Sequence, residues 1–185
     1  NSCESSQTRA TSFLPPHEKS AITDLQKIAK ERGQNLVIFR STHRYLKIPY
    51  VLIQDGHVKA LSLRRLALRS LPLSVLELKR LAKLDLGHNE LSHLPAKMEK
   101  LQKLRYLRLG SNRFSEVPAV LCNMKKLKGL TLQNNELTSI SPLGEITPLY
   151  NCNLAHNCVT DESLKQYEPS SLNVLNLNGN RLRSF

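Results

Sequence analysis

From residue 58 onward the hydrophobic positions return in a fixed order. Leu81, Leu84, Leu86, Asn89, Leu91, Leu94 and Pro95 follow the skeleton L-x-x-L-x-L-x-x-N-x-L-x-x-L-P, and Leu104, Leu107, Leu109, Asn112, Phe114, Val117 and Pro118 repeat it. Six copies start at Val58, Leu81, Leu104, Leu127, Leu149 and Leu172, at spacings of 23, 23, 23, 22 and 23 residues. Within each copy the central L-x-L has period two, which predicts a strand whose two leucines face the same way. One such strand cannot bury its leucine face alone, so the copies must stack, their strands pairing in parallel about 4.8 Å apart.

The residue following each strand is of another kind. Asn89, Asn112, Asn135, Asn157 and Asn180 form one column, placed where the chain turns away from the strand and backbone groups lose their ladder partners. An inward amide brings donors and an acceptor to those groups. The first copy has Leu66 there instead, which predicts that a neighbouring element covers that end of the array. Leu71-Pro72, Leu94-Pro95 and Val117-Pro118 favour extended or 3₁₀ segments on the far side. In the fifth copy Val159–Tyr167 reads as a short helix with Thr160 as its N-cap. The motif and its period resemble the leucine-rich repeat family. The resemblance implies an α/β solenoid: a right-handed superhelix with a curved parallel β-sheet on its concave face and irregular, short helical segments on its convex side. It also implies that the concave sheet meets the partner.

The stretch before the array lacks the repeat. Residues 1–14 are polar and aperiodic and read as a flexible tether. Residues 15–57 read as an N-terminal cap, and residues 58–185 as an array of about six repeats, the last incomplete. Pro15-Pro16 opens a helix, with Glu18 favoured by the dipole of its first turn. Ala21, Ile22, Leu25, Ile28 and Ala29 fall on one helical face, and Gly33 ends it. Leu36–Phe39 is a short apolar run. Two further β-type runs flank Asp55-Gly56, a two-residue hairpin signal. Helix plus hairpin resembles the N-terminal caps of some bacterial and plant members of the family, including surface and lipoprotein-type proteins, without the tryptophans those caps often carry.

If the strands are so arranged, the side chains between the leucines form the concave surface. Ala60, Ser62 and Arg64, then Lys83, Asp85 and His88, then Tyr106 and Arg108 occupy it in the first three copies. Thr131, Gln133, Asn151, Asn153, His156, Val174, Asn176 and Asn178 continue it. Tyr106 with Arg108 is the candidate hot spot, since both types are enriched among residues that dominate binding energy. The amides that follow suit an extended polar chain.

Charge divides this array. Of the net +12, residues 58–128 carry 16 Lys and Arg against 5 Asp and Glu, whereas residues 129–185 carry 3 against 5. Arg80, Lys103 and Lys126 stack just before successive strands as a basic ladder. This predicts attraction to an acidic partner or to an anionic surface: lipid, polysaccharide or nucleic acid. Nucleic acid is disfavoured, because aromatics interleaved for base stacking are lacking apart from Tyr106.

Little of the sequence favours catalysis. Cys3, Cys122, Cys152 and Cys158 have no C-x-x-C spacing, so no zinc or redox motif is expected. Cys152 occupies a core leucine slot, and buried cysteines are inert. His88 and His156 share a repeat position three repeats apart, too far for one metal ion. No phosphate loop or nucleophile motif occurs. The expectation is therefore a non-enzymatic protein-recognition module with no cofactor and no metal. Its alternatives are attachment of the basic half to an anionic surface, and service as the recognition domain of a larger enzyme. Bacterial effector ligases resemble it in having a helix before the repeats, but their repeats are shorter, near 20 residues. No apolar run reaches the ~18 residues of a membrane span. The cysteines lack the clustered pattern of disulfide-capped extracellular relatives, which leaves the cytoplasm and a bacterial cell envelope open. For the envelope, Cys3 behind Ser2 is a candidate lipidation site, an acyl anchor on a flexible spacer.

Overall fold

The computed structural model describes residues 11–40, 47–165, 167 and 171–183. Eight strands form one open sheet in chain order: β1 (Val37–Phe39), β2 (Tyr50–Gln54), β3 (His57–Ser62), β4 (Lys83–Asp85), β5 (Tyr106–Arg108), β6 (Gly129–Thr131), β7 (Asn151–Asn153) and β8 (Val174–Asn176). From β3 to β8 every pairing is parallel and in register, so Leu61, Leu84, Leu107, Leu130, Cys152 and Leu175 form one column. All but Leu175 are at most 2% exposed. The period-two leucines thus make the core that the sequence pattern requires, and the fold is that of a leucine-rich repeat solenoid.

Opposite the sheet the chain returns through 3₁₀ turns at Leu73–Glu77, Ala96–Lys100, Ala119–Asn123 and Ser141–Glu145. The first three follow Pro72, Pro95 and Pro118, whose extended φ,ψ lead into the turn. Each turn buries one or two apolar side chains, among them Val75, Met98, Leu121 and Leu143. The fifth repeat substitutes α2 (Asp161–Lys165). Thr160 is its cap position, but the capping contacts come from Ser163: the Thr160 N–H donates to Ser163 Oγ at 3.1 Å, and that hydroxyl donates back to Thr160 O at 2.8 Å. This is the reciprocal half of a capping box, with serine where Glu or Gln is usual.

The asparagine column ties neighbouring turns together. Asn112 Oδ1 accepts the Leu91 N–H at 3.0 Å, and its Nδ2 donates to Leu86 O at 3.0 Å and Leu109 O at 2.9 Å. Asn89, Asn135, Asn157 and Asn180 bridge adjacent repeats in the same way. Leu86 O therefore receives amides from both Asn89 and Asn112, and Leu109 O from Asn112 and Asn135. The residue before each asparagine lies in the left-handed region: His88 (φ 54°), Ser111 (φ 57°), Asn134 (φ 54°), His156 (φ 57°) and Gly179 (φ 71°). In the first repeat Leu66 is fully buried, and its N–H, with that of Leu68, is satisfied by Asn89 Oδ1.

The N-terminal end is closed by α1 (Pro16–Glu31), which buries Ala21, Ile22, Leu25 and Ala29 and packs on the Leu73–Glu77 turn. It ends in a Schellman motif: Gln34 N–H reaches Ala29 O and Gly33 N–H reaches Lys30 O, with Gly33 at φ 67°. The β2–β3 hairpin turns on Asp55 (φ 51°) and Gly56 (φ 67°), the conformation of a type I′ turn. Two expectations change here. Leu14, read as tether, is 4% exposed and belongs to the core. Glu18 does more than face the helix dipole. It is 1% exposed; its carboxylate accepts the Val58 N–H at 2.8 Å and sits 3.0 Å from His57 Nδ1. Val58 pairs with Ile53 beside the register shift between Leu52 and Ile53, where the ladder is irregular and an N–H needs another acceptor. The candidate lipidation residue Cys3 lies outside the described residues.

Candidate functional site

Register places the outward side chains in rows. Ala60, Lys83, Tyr106, Gly129, Asn151 and Val174 form one row, and Ser62, Asp85, Arg108, Thr131, Asn153 and Asn176 the next. Just past the strands, Arg64, Gly87, Gly110, Gln133, Ala155 and Asn178 stand at corresponding positions in the sequence repeat. His88 lies beyond them in its left-handed turn and is exposed.

Not every predicted face residue is available. Ala60 and Ser62 are 3% and 0% exposed, short side chains flanked in register by Leu52 and Lys83, and by Tyr50 and Asp85. Asp85 is 7% exposed and already engaged. Its Oδ1 accepts the Gly87 N–H at 2.9 Å, while Oδ2 lies 3.3 Å from Arg64 Nη1 and 3.8 Å from Arg108 Nη1. Asp85 thus holds two arginines of different repeats over the sheet. Lys83, Tyr106, Asn151 and Asn178 are exposed; Arg64, Arg108, Thr131, Gln133, Asn153 and Asn176 are half-buried.

Two contiguous hollows indent this face. A slot of about 330 Å³ lies over Gly129, walled by Tyr106, Asn151 and Val174. Tyr106 leans across Gly129: a Cβ there would stand 2.9 Å from Tyr106 Cδ1. A more polar hollow of about 290 Å³ lies over Gly87 and Gly110, bounded by Arg64, His88 and Gln133. Arg108, Thr131 and Asn153 line both. The glycines were passed over in the sequence because a residue without a side chain presents nothing to bind. Their effect emerges only when the repeats are aligned, because they make room for the side chains of neighbouring repeats. Tyr150 was also missed. It is 41% exposed beside the slot-lining Asn151, and Lys128 Nζ lies 5.7 Å from its ring, as Lys83 Nζ does from Tyr106.

The local field is positive. Burial lowers the His88 pKa below the ordinary 6.5, Arg64 and Arg65 lower it further, and Asp85 partly opposes them. At the sheet flank, Arg80, Lys103 and Lys126 are exposed, and the neighbouring Lys126 charge depresses the Lys103 pKa. Two of the thiols are poor nucleophiles. Cys152 is 2% exposed, and burial pushes it up to about 12. Burial and the Glu145 carboxylate also raise Cys122. Among the described residues no three His, Cys, Asp or Glu side chains come together as metal ligands.

Parallel in-register strands, 3₁₀ returns and an inward asparagine column define the leucine-rich repeat class. Residues 56–114 match the leucine rich repeat family, and residues 102–145 match leucine rich repeats in two copies. The protein is a leucine-rich repeat protein. No curated protein matches the chain. Among solved structures, a leucine-rich repeat protein of Leptospira interrogans aligns at TM-score 0.56 and 29% identity, over 64% of this chain and 30% of its own. An internalin of Listeria monocytogenes aligns at 0.51 and 24% identity, over 62% and 34%. The ectodomain of the receptor kinase SOBIR1 from Arabidopsis thaliana aligns at 0.59 and 19% identity, over 92% and 97%. The last two show the fold alone. The chain spans about a third of the length of the two bacterial proteins.

Proposed function

We propose that the chain is a non-enzymatic recognition module that binds another protein on its concave sheet, with Tyr106 and Arg108 at the centre. Leucine-rich repeat domains generally mediate protein–protein interaction. The observation that carries the finer reading is the pair of contiguous hollows meeting at Arg108, Thr131 and Asn153. They are lined by amide, hydroxyl, aromatic and guanidinium groups, the side-chain types of a binding surface. The one thiol among them, Cys152, is protonated at neutral pH and inert. The test compares wild type with Tyr106→Ala and Arg108→Ala for any protein that binds the intact chain, using Lys97→Ala on the convex side as control. Loss in the concave variants with retention in the control is expected. Binding that survives both concave substitutions refutes the assignment.

A second reading has its own observation. The Lys103 pKa is depressed by its cationic neighbour, so the ladder concentrates like charge that an anionic surface would relieve. In this reading the basic flank binds acidic phospholipid vesicles, and binding falls steeply between low and physiological salt. Salt-insensitive binding, or binding unchanged when Arg80, Lys103 and Lys126 are replaced by glutamine, excludes it.

A further inference from the structure

Resting on the concave-face reading, we propose that the partner presents an extended segment carrying an acidic side chain for the hollow over Gly87 and Gly110 and an apolar side chain for the slot over Gly129.

The acid follows from charge. Two guanidinium groups, of Arg64 and Arg108, converge on the carboxylate of Asp85, and the residues lining the hollow include both arginines and no acid. A carboxylate brought by the partner meets a positive field there. Arg64 is only 18% exposed in its side chain, and its Nε is buried with no hydrogen-bond partner. Such a donor costs stability unless something accepts from it. Gln133 is the neutral partner in the hollow. Its amide lies on Gly110, where a Cβ would stand 2.6 Å from Nε2, and its Oε1 is buried and unpartnered. Rotation about the last side-chain bond exchanges Oε1 for the NH₂ group, which donates to a carboxylate. Gly87 is the complementary opening, since a Cβ there would stand 3.3 Å from Arg64 Nη1.

The apolar side chain follows from the walls of the slot. Tyr106 and Val174 are 42% and 56% exposed, among the most exposed large hydrophobic residues. They face each other across Gly129 and Asn151. The slot's volume of about 330 Å³ admits a leucine or phenylalanine side chain. Spacing then ties the two subsites together. Gly129 and Gln133 are four residues apart, roughly 13 Å of extended chain. Same-side residues of a bound extended segment recur every ~6.6 Å, so the acidic and apolar residues should be two or four positions apart.

The experiment pans a random twelve-residue peptide library, displayed on phage, against the full chain. Enriched peptides are then synthesised with blocked termini. The expected sequences carry Asp or Glu two or four positions from Leu, Ile, Phe or Tyr. Replacing that acid by its amide weakens binding about tenfold, the worth of a hydrogen bond to a charged group. Arg108→Gln gives the same loss, with no further loss when both changes are combined. Gln133→Glu, across the hollow from the arginines, repels the acid and gives a second reading should Arg108→Gln disturb folding. Peptides whose binding is abolished by Thr131→Arg, at the junction of the hollows, but which carry no preferred acid, overturn the inference and leave the concave-face reading intact. Selected peptides indifferent to Thr131→Arg overturn that reading itself. A library that yields no binder overturns the inference, since this geometry asks only for a short extended segment.

Discussion

Replacing Asn112 by alanine removes three short hydrogen bonds from the middle of the array, besides a 3.5 Å contact with Gly110 O too long to contribute much, and the three are not equal. Leu86 O keeps the amide of Asn89, and Leu109 O keeps that of Asn135, because each carbonyl is shared by two asparagines. The Leu91 N–H loses its only side-chain acceptor, at a site 8% exposed. An orphaned buried donor costs about 1–3 kcal/mol, and each hydrogen bond lost from a carbonyl that stays satisfied about 0.5–1 kcal/mol more. The sum is about 2–5 kcal/mol. Asn180→Ala serves as the comparison. It has the same chemistry, but its bonds are only part-buried, so it should cost about 1 kcal/mol. Urea unfolding followed by circular dichroism measures both, with the midpoint shift converted at constant m-value. Asn112→Asp isolates the cause. It keeps the size and the acceptor for Leu91 N–H but turns a carboxylate oxygen toward two carbonyls, so it should destabilise at pH 7 at least as much as alanine. A central alanine costing under 0.5 kcal/mol, or a neutral aspartate, would refute the account of the column as a hydrogen-bond ladder.

Glu18→Ala should cost about 1–3 kcal/mol, because Val58 N–H is left buried without its acceptor; a thermal melt within a degree of wild type contradicts this. His88 should titrate below 6.5 by NMR, with Arg64→Gln raising its pKa and Asp85→Asn lowering it further. The folded state binds that proton less tightly than the unfolded chain. This contribution to stability therefore falls as pH drops from 6.5 through the lowered value, weakly for so exposed a side chain. Cys152 should resist thiol reagents at pH 8 until urea unfolds the array, since burial holds its thiol near pKa 12; labelling of the native protein at the rate of a free thiol contradicts its burial. Gly110→Leu should displace Gln133, whose amide lies within 2.6 Å of the new Cβ, and close the hollow with little change in the urea midpoint.

What could be read from the sequence and what could not differ by physical cause. The core column, the 3₁₀ returns after Pro72, Pro95 and Pro118, and the hairpin at Asp55-Gly56 are local: each depends on a residue type at a fixed offset within one repeat. The capture of Val58 by Glu18 spans forty residues and depends on an irregularity in a strand pair, which no local pattern reveals. The candidate site is intermediate, since a 23-residue period converts sequence offset into lateral adjacency. Arg64 and Asp85 are 21 residues apart yet form an ion pair, because the one follows its strand while the other ends the next. The same arithmetic explains why Asp85 is more buried than its place on the concave face suggests. Its position made it a surface residue, but two arginines from the repeats on either side converge on it, and their contact buries it. Burial of the acid leaves the two arginines half-buried and held over the hollow. A flexible, solvated arginine pair would lose rotamer freedom on meeting a partner, whereas this pair is already held by Asp85 and loses less. Asp85→Ala should therefore weaken binding of an acidic partner even though it removes a negative charge. A rise in affinity would show that net charge, not the fixed geometry of the arginines, governs the hollow.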